Sequence, residues 1–231
     1  MNIRIVPLVI FRILLILIFF LTIAGIIASY CRYAYNTPQV IMVVRLFDLD
    51  GETNFPAFYS SLALLFSSLL LFIIAFSHRN VIRNFVAWLV MALGFLFLSL
   101  DEASMLHEML AGTTRRSLDV SGLLYNAWVI PYGIIMVLGG ILYLPFLLRL
   151  PKPTLLLFVV AGVMFVSGAV GVEVFEGKWE AVHGTDNFTY DLYVAVEEFL
   201  EMLGVAVFIY ALLRYIADTA GTLTIKVTNA K

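Results

Sequence analysis

Carboxylates are the residues of this sequence best equipped to do chemistry, and they recur at helical spacings. Glu197, Glu198 and Glu201 stand at i, i+1 and i+4, and Glu173 and Glu176 form an i, i+3 pair. Asp101 and Glu108 are seven apart, with Glu102, Ser104 and His107 between them. Residues three, four or seven apart share a helix face, so each of three segments is expected to present acids on one side. Several carboxylates at one level cannot all stay ionised without a cation: either some hold protons or a metal sits between them. Carboxylate oxygens suit hard cations such as Ca²⁺, Mg²⁺ or Mn²⁺, and an added imidazole widens the choice to Fe or Zn. Asp101, His107, Glu108, Glu173, Glu176, Glu197 and Glu201 are therefore the candidate metal ligands. Glu102 and Glu198, beside them in sequence, are the candidate general bases, and His183 is a further available imidazole.

Familiar metal signatures do not fit. A ferritin-like di-iron site pairs Glu-x-x-His on its helices, but Ser104 stands three before His107, and Glu198-x-x-Glu201 lacks the histidine. His107-Glu108 has no second histidine to complete a His-Glu-x-x-His zinc site. Asp48-Leu49-Asp50-Gly51-Glu52 opens like a calcium loop, yet Ala57 occupies the position where an EF-hand needs glutamate. The single cysteine, Cys31, rules out an intramolecular disulfide and a cysteine-rich metal site.

The elements that must position these acids are apolar. Of 231 residues, 62% are hydrophobic and 13% charged, and the mean hydropathy is +1.01. Soluble domains carry about twice that charge, so the solvent for most of the chain is lipid. The 14 Lys+Arg against 16 Asp+Glu leave no basic surplus for nucleic acid. A bilayer core takes about 20 apolar residues per helix. Six stretches qualify: Val6–Tyr30, Pro56–Phe76, Phe85–Met105, Leu123–Leu148, Leu155–Phe175 and Leu192–Tyr215. The expectation is an all-α, polytopic membrane helix bundle forming a single transmembrane domain over residues 1–231. The first stretch reads as a retained anchor, because Tyr30 stands where a signal cleavage site wants a small residue.

Orientation follows from the flanking basic residues. Arg4, Arg12, Arg79, Arg83, Arg149, Lys152, Arg214, Lys226 and Lys231 fall on one side; Arg32, Arg45, Arg115, Arg116 and Lys178 fall on the other. The richer side is expected to be cytoplasmic with both termini, in a multi-pass protein of the cell membrane. All acidic residues but Asp218 then lie on the opposite side, facing the periplasm or cell exterior. Asp101 lies 16 residues after Phe85, Glu173 18 after Leu155, and Glu201 and Glu197 13 and 17 before Arg214. At ~1.5 Å per residue, those helices reach a common layer ~20–27 Å from the inner boundary. The bland alternative is that Glu108, Glu176 and Asp191 are solvated helix ends. Pro131 is expected to kink the fourth span near Asn126 and Trp128, and Ser167-Gly168-x-x-Gly171 and Gly139-Gly140 to permit close helix approach.

Leu98-Ser99-Leu100-Asp101-Glu102-Ala103-Ser104-Met105-Leu106-His107-Glu108 resembles a segment of uncharacterised multi-span bacterial membrane proteins. Residues Phe47 to Pro56 and Glu197 to Glu201 are similar to companion segments of that group, which brings no established activity. Three functions fit these residues: a metal-dependent enzyme acting on a lipid or lipid-soluble substrate, a proton- or cation-coupled small-molecule transporter, and a non-catalytic membrane subunit with a structural ion.

Overall fold

The computed structural model describes residues 5–220 apart from 36 and 52, and only the backbone of 107, 108, 110–112 and 220. Nine α-helices follow in order among the described residues: α1 (Pro7–Tyr35), α2 (Pro38–Phe47), α3 (Phe55–Ser77), α4 (Ile82–Ser104), α5 (Leu106–Leu118), α6 (Val129–Leu147), α7 (Lys152–Val166), α8 (Glu173–His183) and α9 (Phe188–Ala220). A π-helical stretch, Ser167–Val172, joins α7 to α8 in one rod. No strand occurs among the described residues. Six rods are long and apolar enough to cross a bilayer: α1, α3, α4, α6, α7–α8 and α9. The protein is a membrane-spanning, all-α helical bundle.

Helix starts follow local chemistry. Thr37, Asn54 and Asn187 accept hydrogen bonds from the backbone N–H of Val40, Ala57 and Tyr190, satisfying donors that the first helical turn leaves open. Pro38, Pro56 and Pro153 sit in first turns, where a missing N–H costs nothing. Asn187 also accepts from Trp179 Nε1 at 2.9 Å, which helps close the α8–α9 turn.

Helices α1 and α9 run antiparallel, as do α3 and α4. The end of α1 meets the start of α9 at Arg32 and Asp191, while its start meets the far end of α9 at Phe11 and Tyr210. Ser61 Oγ donates to Ser99 O and Ser68 Oγ to Ala92 O, tying α3 to α4. Helix α9 is the hub, with Ala206, Ile209, Ala211 and Leu212 fully enclosed. A Cβ on Gly204 would lie 2.9 Å from Ala161 O, and one on Gly168 would lie 2.7 Å from Glu197 O. Only glycine allows α7 and α9 to come so close. Toward the end carrying Arg79, Arg83 and Arg149, the bundle is plugged by Leu71, Ile74, Trp88, Ile209 and Leu212. Trp88 there packs edge-on to Phe146 and Phe158.

Several expectations need correction. Helix α6 starts at Val129, so Pro131 lies in its first turn and kinks nothing. Gly139 and Gly140 meet no neighbour within 4 Å, so their face of α6 is open rather than a packing seam. Between the long rods, α2 and α5 are themselves helical, and the turn between the last two rods is residues 184–187. Asp101 and Glu108 do not share a helix face. Met105 adopts the left-handed conformation (φ 56°, ψ 35°), its N–H closing onto Asp101 O, and α5 starts afresh beyond it.

Candidate metal centre

The π-helical stretch ends one residue before Glu173. π turns often mark functional sites inside helices, and here the turn carries Gly168 against Glu197 while Glu173 and Glu176 follow on α8. Glu197 projects from α9, which arrives by way of the short 184–187 turn. The three side chains are 8%, 4% and 8% exposed. Each contributes a carboxylate oxygen to a group lying within 4.8 Å of one another.

Three glutamates buried together need compensation. Trp128 Nε1 donates to Glu173 Oε1 at 2.9 Å. Glu176 Oε2 is buried and makes no hydrogen bond within 3.5 Å among the described residues, while the Glu197 carboxyl group and the Tyr190 hydroxyl interact with the Glu176 carboxyl group as a whole. Tyr190 and Asp50 border the Glu176 carboxyl group, and the Tyr190 hydroxyl donates to Asp50 Oδ1 at 3.2 Å. No Lys or Arg pairs with Glu173, Glu176, Glu197 or Glu201 among the described residues; the ion pair found there joins Arg32 to Asp191 at 3.0 Å. The result is a buried acidic cluster of oxygen donors, compatible with a hard cation.

Other sequence-derived candidates surround this group at different distances. Glu201, one turn further along α9, is partly buried and lies within charge range of Glu102, Glu173 and Glu176. Asp101 is buried but stands outside the trio. It accepts from Tyr132 Oη at 3.2 Å, and Tyr132 packs edge-on against Trp128, the donor to Glu173. Glu198 follows Glu197 by one residue, turned about 100° around the helix, and is partly buried. The His107 and Glu108 side chains lie outside the described residues, as does Glu52. His183 is exposed, stacked on Trp179 at 4.0 Å, and stands apart from the trio. Glu176 and Asp191 are not solvated helix ends, being 4% and 8% exposed.

Arg32, Trp128, Tyr132, Tyr190 and Asp50 are partners that sequence reasoning missed. Arg32 follows an apolar run and reads as a flank, and the aromatic residues read as packing. Their polar tips (an indole N–H and two phenol O–H groups) were the available signal, because a buried Trp or Tyr usually finds a hydrogen-bond partner.

A family model described as a domain of unknown function (DUF8692) matches residues 14–216. That is most of the chain, and the protein belongs to this family. No curated protein and no solved structure matches it.

Proposed function

We propose that the protein binds a divalent cation at Glu173, Glu176 and Glu197 and uses it in a reaction on a lipid or lipid-soluble substrate. One observation carries this reading: three buried carboxylates converge with no basic partner among the described residues, and Glu176 Oε2 makes no hydrogen bond there. A cation answers both the mutual repulsion and the empty acceptor. Candidate identities are Mn, Mg, Ca, Fe and Zn, with the oxygen-only trio favouring the harder ions. Glu201 and Asp101 extend the ligand set, and His107 and Glu108 remain candidates at the start of α5. Glu102, within charge range of Glu201, is the favoured general base and Glu198 the second. When bound, a divalent cation polarises a substrate oxygen or lowers the pKa of a bound water.

The basic-residue bias puts this centre on the periplasmic or exterior side. The apolar plug of Leu71, Ile74, Trp88, Ile209 and Leu212 below it disfavours a transport path through the bundle. A structural-ion reading keeps one point in its favour, because the trio links α8 to α9 across a short turn. Elemental analysis of protein purified without chelator tests the shared premise. About one divalent ion per chain is expected, and Glu176→Gln should lower Mn²⁺ affinity roughly 10- to 100-fold. A metal-free protein whose melting is indifferent to EDTA and Mn²⁺ would sink the metal reading. Glu102→Gln then separates the alternatives: an enzyme loses turnover with metal content intact, whereas a structural ion leaves this variant like wild type.

A further inference from the structure

Beneath the carboxylates lies an apolar cleft of about 260 Å³ between α4, α7 and α9, closed at one side by Leu147 of α6. Met91, Phe95, Phe165, Val205 and Phe208 line its interior. Its rim passes Val159 and Gly162, both exposed, so it opens sideways toward lipid between the rods. Its upper end is set by Leu98, Val166 and Gly204. Leu98 is three residues before Asp101, Gly204 three after Glu201, and Val166 two before Gly168. One helical turn, ~5.4 Å, therefore separates the top of the cleft from the acids on both α4 and α9.

We propose that this cleft seats the hydrocarbon chain of an amphiphile whose uncharged, oxygen-bearing end (an alcohol, ester, amide or carbonyl) reaches the carboxylate centre. The inference rests on the metal reading for what meets the polar end, and on the cleft alone for the chain. Charge selects the head group. Glu173, Glu176, Glu197 and Glu201 already outnumber the charge of one divalent cation, and no Lys or Arg pairs with them among the described residues. A phosphate head would add negative charge where nothing balances it. A neutral oxygen adds none and still offers a lone pair to a cation or accepts a proton from a carboxyl group. The buried Oε2 of Glu176, with no hydrogen-bond partner among the described residues, leaves an acceptor open at the acidic group.

The test is photo-crosslinking of the full-length protein in vesicles with a long-chain primary alcohol carrying a mid-chain diazirine. The phosphate monoester of the same alcohol serves as the comparison. Label is expected on α4, α7 and α9 around Met91, Phe165 and Val205, with the phosphate ester labelling there about tenfold less. Gly162 lines the rim of the cleft, and a Cβ there meets nothing within 4 Å, so a larger side chain has room to occupy the opening. Gly162→Phe should therefore cut the label at least about fivefold by excluding the chain, while Gly140→Phe on the open face of α6 leaves it unchanged. Thermal melting, measured on the same variants, reports that the fold is intact. Equal labelling of wild type and Gly162→Phe, label spread evenly over Ile135 and Leu138 of α6, or equal labelling by alcohol and phosphate each overturns the proposal. Cleft labelling in a protein that binds no Mn²⁺ overturns the metal reading and leaves the chain site standing.

Discussion

Individual polar contacts decide whether acids survive in this bundle. Arg32 reaches Asp191 with Nη2 at 3.0 and 3.1 Å from the two carboxylate oxygens, and Asp191 is buried while Arg32 is partly exposed. Removing one partner of such a pair leaves the other uncompensated. Arg32→Ala should destabilise the protein by about 1–2 kcal/mol, below the fully buried range because solvent screens the guanidinium. Adding Asp191→Asn should restore part of that loss, measured as detergent-solubilised melting. Trp128 acts differently, because its indole N–H holds Glu173 Oε1. Outer partners of metal ligands typically matter 10- to 100-fold in affinity, so Trp128→Phe should weaken Mn²⁺ binding by about tenfold with little change in melting of the metal-free protein. Titration with Mn²⁺ followed by electron paramagnetic resonance reads the affinity, and thermal melting of the metal-free protein reads the stability.

At the level of elements, the α7–α9 contact is where backbone geometry sets the chemistry. Gly168 and Gly204 stand where any Cβ would press on the opposite backbone. Gly204→Val should cost about 1–3 kcal/mol through overpacking. Gly168→Ala should lower Mn²⁺ affinity more than stability, because the Cβ pushes on Glu197 O. Gly140→Ala is the contrast: with open space around it, the substitution should be neutral or stabilising by about 0.5–1 kcal/mol. Thermal melts and Mn²⁺ titrations of these three variants check the order. The rods were legible in the sequence because lipid demands unbroken apolar runs. Their ends were less so. Gly177 and Lys178 interrupt the hydropathy of the fifth rod, yet the helix continues to His183, with Gly177 close against Asn126. The break at Met105 has no glycine or proline to announce it, and it separates Asp101 from Glu108 where spacing had joined them. The convergence of Glu173, Glu176 and Glu197 was partly readable from their common depth, whereas nothing in the spacing showed that Asp101 stands outside the trio and accepts from Tyr132.

For the molecule as a whole, charge is sorted along the bundle axis. Arg79, Arg83, Arg149 and Lys152 gather at one end with Asp218, and the glutamate trio, with α5 and the 184–187 turn, at the other. The basic-residue bias predicts that the first end is cytoplasmic. With Cys31 replaced by serine, Asp186→Cys should react with a membrane-impermeant maleimide on intact cells, and Arg79→Cys only after permeabilisation. The reverse pattern would place the centre on the cytoplasmic face.

Glu173, Glu176 and Glu197 all belong to one helical hairpin, closed by residues 184–187. Such a hairpin is a natural unit of membrane insertion during synthesis. Its acids meet the bilayer together, in one event, rather than on separate helices that must later find each other. The electrostatic penalty of bringing them into lipid falls on that single step of biogenesis, so the efficiency with which this hairpin inserts should answer to whatever neutralises its glutamates at that moment.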